Sequence, residues 1–486
     1  MNKKRVLVLN PPNPDRNYLN RDLMGGLGVK YEFGNDFLSS FVSKVKNSLI
    51  RLPVMQLVYG ASLLHEKGFD LMVIDAACEQ KKLNEIIPDI KKFSPDYILL
   101  AVSSSGFMFE RDVVASEMKR IVPNTKIIAV GDMIAQVPNE LLPYFDIGIV
   151  GDVEESIVNI CEGKKLDSIN GIIYQENGSL VTASQKALVE KEELEELPFP
   201  KWDLFPYKNY RYYPMLHVSP IVSILSSRGC PYGCGYCPYP VSQGKKWRAR
   251  SAQNIYKEIE NGVKKYNVRG FYFRDPLFTL NFKRIEEMCD LIIKNNIKIE
   301  FVFETRPELL THELIDKLHE AGCRSISFGV EDIHPDILKL INRQPVNLEK
   351  IKDSVNYCEN KGIRTSTFII VGLPGSTIET IEESIKFSRE LLSSQIDYKV
   401  ATPFPGTQLY NMAKKNRWIK SESYDLLGSY NAQMQISKEL TPEYLQARTN
   451  RAFKEYYYAP NYIIKNMING NMFFNALIFM KIIIKG

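Results

Sequence analysis

The apolar residues in the first third of the chain fall in short unbroken runs, separated by amphipathic stretches. Residues 5–9, 71–75, 97–102, 126–130 and 147–150 form the runs, and none alternates between apolar and polar. Residues 54–67, 83–93 and 109–121 space their apolar side chains as helices do. Strands without alternation are buried on both faces, as in a parallel sheet covered by helices. Strands and helices in alternation predict an open, doubly wound α/β domain over residues 1–165. Such sheets bind ligands beyond the carboxyl ends of their strands. Those ends here are residues 10–14, 75–80, 103–106, 131–133 and 151–154, and small residues dominate three of the five. A large flat ligand could therefore approach the backbone closely.

The pattern changes at residue 166. Residues 166–215 read as a short hairpin (171–174 with 179–182) followed by an acidic, proline-punctuated linker containing Leu197-Pro198-Phe199-Pro200. Strand–helix alternation returns in residues 216–415, with strands at 221–226, 270–274, 298–304, 325–329, 365–371 and 398–402. Six consecutive βα units predict a barrel or partial barrel, with its active site at the carboxyl ends of the strands. Residues 416–486 show no strand alternation and read as a helical, aromatic region.

Composition narrows the function classes. With 486 residues, 44% apolar and 24% charged, the chain reads as a globular protein of several domains. The net charge of +5 comes without a dense basic block, so nucleic acid is not an expected partner. The first apolar run stops at Asn10-Pro11-Pro12, too short for a signal peptide core, and no run reaches the roughly 18 apolar residues of a membrane span. The expected location is cytoplasmic. In a reducing compartment, three cysteines within eight positions favour metal binding over disulfides.

Those cysteines lie in Arg228-Gly229-Cys230-Pro231-Tyr232-Gly233-Cys234-Gly235-Tyr236-Cys237-Pro238, directly after the first strand of the second α/β region. Three thiolates so spaced can wrap three corners of a cubane cluster and leave the fourth iron open, whereas ordinary electron-transfer clusters use four cysteines. A zinc site would need a fourth ligand, and no cysteine or histidine follows Cys237 within about 50 residues. Cys78, Cys161, Cys289, Cys323 and Cys358 are scattered singly and read as packing residues, although Cys78 stands on a ligand-facing loop.

The cysteine loop at the end of the first strand of a βα series resembles the radical S-adenosylmethionine (SAM) superfamily. The resemblance implies a [4Fe–4S] cluster on Cys230, Cys234 and Cys237. SAM would chelate the open iron and be cleaved reductively to a 5′-deoxyadenosyl radical, with electrons from a donor such as flavodoxin or ferredoxin. It also places the later strand ends around SAM. Asp275 would meet the SAM amino group, although Pro276 stands where the family often has a second aspartate. Glu304 and Arg306 end the third strand, and Glu331 ends the fourth, either on the SAM side or paired with an arginine. Gly372 would lie beside the adenine, while Tyr236 and Phe404 complete the set.

A flavodoxin-like domain placed before such a barrel further resembles the cobalamin-binding radical SAM class. Gly151-Asp152-Val153-Glu154-Glu155 and the glycine-rich Asp22-Leu23-Met24-Gly25-Gly26-Leu27-Gly28 add to that likeness. The resemblance implies that Ser103, Ser104, Ser105, Gly131 and Gly151 line cobalamin. The usual cobalt-binding histidine is absent from Asp75-Ala76-Ala77-Cys78-Glu79, which leaves two alternatives: the cofactor binds without a protein nitrogen ligand, as the resemblance implies, or the domain has lost it. The activity implied is methyl transfer to an unactivated carbon of a small-molecule or lipid substrate. Radical cyclisation, oxidation or rearrangement is the alternative, and a cluster-bearing sensor the non-enzymatic one. The apolar residues 472–485, carrying Lys481 and Lys485, suit either a docked final helix or weak peripheral contact with a membrane.

Overall fold

The computed structural model describes residues 3–14, 19–22, 40, 49–131, 133–182, 188–213, 215–345, 347–421 and 423–468. Most of the glycine-rich stretch 22–28 and the whole of the 472–485 tail lie outside the described residues.

The first α/β unit is one sheet of seven strands. They are β1 (Arg5–Asn10), β2 (Asp70–Asp75), β3 (Tyr97–Ala101), β4 (Lys126–Val130), β5 (Ile147–Ile149), β6 (Ile172–Glu176) and β7 (Ser179–Thr182). Their order across the sheet is β2-β1-β3-β4-β5-β6-β7. The first five are parallel, in the flavodoxin-like order. The hairpin β6–β7, expected in the linker, pairs antiparallel with β5 and extends this sheet to Thr182. Val6, Val8 and Leu99 face one side and Leu7, Leu9 and Leu100 the other, all fully buried, which explains why the strand sequences do not alternate.

The second unit is a six-stranded parallel sheet, β8 (Ile221–Ile224), β9 (Gly270–Phe273), β10 (Glu300–Thr305), β11 (Cys323–Glu331), β12 (Arg364–Val371) and β13 (Gln395–Val400), paired in sequence order. Its edges do not pair with each other, so it is a partial barrel. The β13 edge is covered by the helix α1 (Pro442–Tyr457). The Tyr457 hydroxyl accepts from the Ile396 N–H at 3.2 Å and donates to its carbonyl at 2.9 Å, satisfying backbone groups that an edge strand would leave open. Residues 416–441 are largely irregular rather than helical, and helix resumes only at Pro442.

The linker joins the two units rather than separating them. Trp202, Phe205, Tyr210 and Tyr212 are buried in a cluster that also contains Val58 of the first unit and Phe273 of the second. Among the described residues, no helix is long and apolar enough to cross a membrane.

Candidate active site

The cysteine loop leaves β8 through Ser227–Arg228, which pairs antiparallel with Arg248–Ala249 and closes the loop at its base. At Gly229 φ is +79° and a Cβ would overlap the Lys246 carbonyl, so glycine is required immediately before the first cysteine. The Cys230 N–H donates to Gly244 at 3.2 Å, and the Cys237 N–H to Cys234 at 3.1 Å. The Gly235 N–H donates to Ile341 at 2.6 Å, and the Leu409 N–H donates to the Gly235 carbonyl at 2.8 Å, which ties the loop tip to two later strand–helix connections.

All three thiols are half-buried, free, and open to a single cleft of about 980 Å³ at the carboxyl ends of the barrel strands. Burial pushes the Cys230 and Cys237 thiols above their ordinary range. Among the described residues, no three His, Cys, Asp or Glu side chains converge on a point that one metal ion could occupy. A cubane requires a different arrangement, with one thiolate per iron at separate corners, and three thiols around one cleft fit that group.

Five of the seven residues expected around SAM line the cleft: Tyr236, Glu304, Arg306, Glu331 and Phe404. Glu304 accepts from the Tyr272 hydroxyl at 2.6 Å. Arg306 lies 4.4 Å from the Tyr232 ring centroid and donates to Glu308 and to the Gln344 carbonyl, while its buried Nη1 has no hydrogen-bond partner among the described residues. Glu331 has φ +70°, unusual for a side-chain-bearing residue, and follows an irregularity in the β11–β12 pairing. Such an irregularity re-aims a side chain, and here Glu331 is turned into the cleft.

Among the charged residues of the cleft, sequence reasoning missed two, Arg343 and Lys399. Arg343 is buried beside the cysteine loop, with Nη1 4.0 Å from the Cys234 sulfur, Nη2 donating to the Gly329 carbonyl, and Nε without a partner among the described residues. Burial acts against its charge, but Tyr236, Glu331 and Cys234 outweigh that and hold it firmly protonated. Lys399 stands at the end of β13, over the Phe368 ring at 4.5 Å. No local pattern marks either residue. Two arginines with unpartnered N–H groups and two carboxylates, Glu304 and Glu331, line the same cleft, a set that fits a ligand bearing both a carboxylate and an ammonium group, as SAM does.

Two expected SAM contacts lie elsewhere. Asp275 is 1% exposed and its carboxylate is held by protein: the Ser226 N–H at 2.8 Å, the Ser226 hydroxyl, the Ser227 hydroxyl at 2.6 Å, and Arg284 at 3.7 Å. It braces the start of the cysteine loop instead of facing the cleft. Gly372 packs beneath Leu445 of α1.

Among the residues expected to line cobalamin, Ser103, Ser104, Ser105 and Gly131 are engaged by protein groups, and Gly151 lines a pocket. The Ser103 N–H and hydroxyl donate to Glu110 at 2.6 and 3.0 Å, and the Ser104 and Ser105 hydroxyls donate to the Leu427 carbonyl at 3.0 and 3.3 Å. A Cβ at Gly131 would overlap the Val102 carbonyl, so close backbone approach accounts for that glycine. Gly151 lines a separate pocket of about 530 Å³ between the two units, together with Asp152, Glu154 and Arg228. Cys78 is fully buried, and Asp75 accepts from its N–H at 3.0 Å. These contacts account for the three serines and Gly131 through protein packing alone. The carboxyl ends of the first sheet nevertheless abut the cleft: Leu427 caps the serine loop, while Ser429 and Phe404 line the cleft.

Fold and site together define a radical SAM domain preceded by a doubly wound domain. Residues 224–388 match the model of the Radical SAM superfamily, so that segment of the chain is a radical SAM domain. It shares its fold with the radical SAM methyltransferase TsrM of Kitasatospora setae, solved with cobalamin and a [4Fe–4S] cluster bound. That match has a TM-score of 0.65 at 17% identity, over 94% of this chain and 85% of that one. An uncharacterized methyltransferase of Pyrococcus horikoshii is 27% identical over 428 residues, 87% of this chain and 91% of its own length. The anaerobic magnesium-protoporphyrin IX monomethyl ester cyclase of Rubrivivax gelatinosus is 27% identical over 376 residues, 74% of this chain and 66% of the cyclase.

Proposed function

We propose that this chain is a cobalamin-dependent radical SAM methyltransferase acting on an unactivated carbon of a small-molecule or lipid substrate. The observation that carries the radical chemistry is the convergence of Cys230, Cys234 and Cys237 with Arg306, Arg343, Glu304 and Glu331 on one cleft. Cobalamin and methyl transfer are supported by likeness to a cobalamin-bound methyltransferase along nearly the whole chain. The cyclase relative supports radical ring closure as the second reading.

In this reading the three cysteines hold the cluster, and Arg306 and Arg343 receive the SAM carboxylate. Glu304 and Glu331 accept from its ammonium or hydroxyl groups, and Phe404 closes the cleft toward the first domain. When bound, the cluster and SAM supply a reductively generated carbon radical, and cobalamin supplies a methyl carrier. The protein orients them and excludes water, since the cofactors hold the reactivity.

Anaerobic reconstitution with SAM and hydroxocobalamin, followed by mass spectrometry, tests the assignment. About four irons per chain should bind, and replacing all three cysteines with alanine should abolish both the cluster and 5′-deoxyadenosine formation. A triple variant that keeps the cluster overturns the reading. S-adenosylhomocysteine produced alongside 5′-deoxyadenosine identifies methyl transfer, whereas 5′-deoxyadenosine alone favours ring closure or oxidation. The lipid arm rests on residues 472–485. Liposome sedimentation that is unchanged on deleting residues 471–486 removes it.

A further inference from the structure

The cysteine loop is anchored from outside its own domain. Arg228, two residues before Cys230, is 4% exposed. Its guanidinium reaches Glu154 at 2.6 Å and Asp152 at 3.0 Å and lies 5.0 Å from the Tyr59 ring centroid, and all three partners belong to the first domain. Arg248, on the returning strand of the loop base, is fully buried and donates to the same Asp152 at 2.6 Å. Arg248 also donates to the Gln243 carbonyl at 2.8 Å, and the Gln243 side chain in turn accepts from the Gly229 N–H at 3.2 Å. Asp152 and Glu154 follow β5, on the face where a doubly wound sheet presents its ligand-binding loops. Burial raises Asp152, but Arg228 and Arg248 outweigh it, so the carboxyl stands below its ordinary value and remains ionised.

We propose that Asp152, Glu154, Arg228 and Arg248 are positioning residues that fix the geometry of the cluster-binding loop from the first domain, so that the cluster's environment depends on two carboxylates of a different domain. The network spans both strands of the loop base and reaches the backbone next to Cys230. Because each arginine bridges to an acid outside the barrel, a change at the β5 loop moves the loop base. This proposal rests on the cluster being held by Cys230, Cys234 and Cys237, and the triple-alanine variant tests that premise separately.

The test is Glu154→Gln in the full chain, anaerobically reconstituted, with iron release to a chelator and the electron paramagnetic resonance spectrum of the reduced cluster as readouts. Outer partners of metal ligands typically alter metal affinity by at least ten-fold, so iron release about ten-fold faster and shifted g-values are expected. Glu110→Gln is the control, because the Arg21–Glu110 pair at 2.6 Å is equally buried but lies wholly within the first domain. It should leave both readouts at wild-type values. Wild-type behaviour of Glu154→Gln, or the same change in Glu110→Gln, overturns the proposal. If Glu154→Gln does not fold, Arg228→Lys replaces it: a point charge cannot bridge both acids as a guanidinium does. It should show the same shift, and an unchanged cluster overturns the proposal as well.

Discussion

Asp275 distinguishes two accounts of the barrel. If it contacts SAM, Asp275→Asn weakens SAM binding. If it is a brace, the same change weakens the fold. In the structure the carboxylate accepts three hydrogen bonds from Ser226 and Ser227 and faces Arg284 at 3.7 Å. Burial already pulls Arg284 below its ordinary value, with Asp275 acting against that pull. Removing one charge of a buried pair costs about 3–5 kcal/mol, because the other is left uncompensated. Arg284 would keep the Ser226 carbonyl at 3.0 Å, the Arg250 and Phe278 carbonyls at 3.3 Å, and the Trp247 ring, 5.4 Å from its centroid. That retained set places the cost at the lower end, about 3 kcal/mol. At about 2–4 °C per kcal/mol for a unit of this size, Tm should fall by about 6–12 °C. The affinity for SAM should be unchanged in equilibrium dialysis below the unfolding range. A lost hydrogen bond to the SAM ammonium would instead cost about 1.5–3 kcal/mol, or ten-fold and more in Kd. Unchanged Tm with SAM affinity reduced ten-fold would refute the brace and restore Asp275 to the cofactor.

The Ser104→Ala, Ser105→Ala double variant should bind hydroxocobalamin as the wild type does in an absorbance titration, because both hydroxyls are engaged by Leu427; a ten-fold loss would return them to the cofactor. Arg343→Met should lower SAM affinity about ten-fold or more while iron content holds, and an unchanged Kd would remove Arg343 from the SAM site. His334 lies between Asp332 at 2.8 Å and Glu383 at 2.7 Å. Burial pulls its pKa down, but the two acids outweigh that and leave it above the ordinary value. Its stabilisation is therefore full below an unfolded pKa of about 6.5 and is lost as pH rises through the folded value. Glu383 is exposed, so the effect should stay under about 1 kcal/mol. His334→Gln should flatten that part of the Tm-versus-pH curve, and an identical slope would refute the assignment.

The strands were legible because burial on both faces leaves a continuous apolar run, as in Lys126–Val130 and Gly270–Phe273. The cysteine loop was legible because its spacing and its place directly after the first strand of a βα series agree. The pairing of the β6–β7 hairpin with β5 was not, since the strand it joins is chosen by tertiary contact. Asp275 falls just past β9, as the pattern predicts, but the groups that hold its carboxylate, Ser226, Ser227 and Arg284, are brought to it only by the fold. Arg343 and Lys399 carry no periodicity, and only the fold brings them to the cysteines. The serine loop illustrates the converse. Its small residues suit a close ligand, yet a segment more than 300 residues away in sequence covers them.

The boundary between the domains follows a charge rule that sequence could not show. Asp22, Asp152 and Glu154 belong to the first domain, and their partners Arg274, Arg248 and Arg228 belong to the second, at separations of 252, 96 and 74 residues. Acids on one side meet arginines on the other, and all are largely buried. Buried ion pairs are weak sources of stability, because desolvation cancels most of their attraction. What they supply here is register, since a shifted interface would leave several buried charges unpaired at once. The apolar cluster running from Val58 through Trp202 to Phe273 provides adhesion without that selectivity. Packing thus holds the domains together, and the ion pairs determine which single arrangement is tolerated. That arrangement seats Leu427 on the serine loop of the first sheet while Phe404 and Ser429 line the cleft of the second.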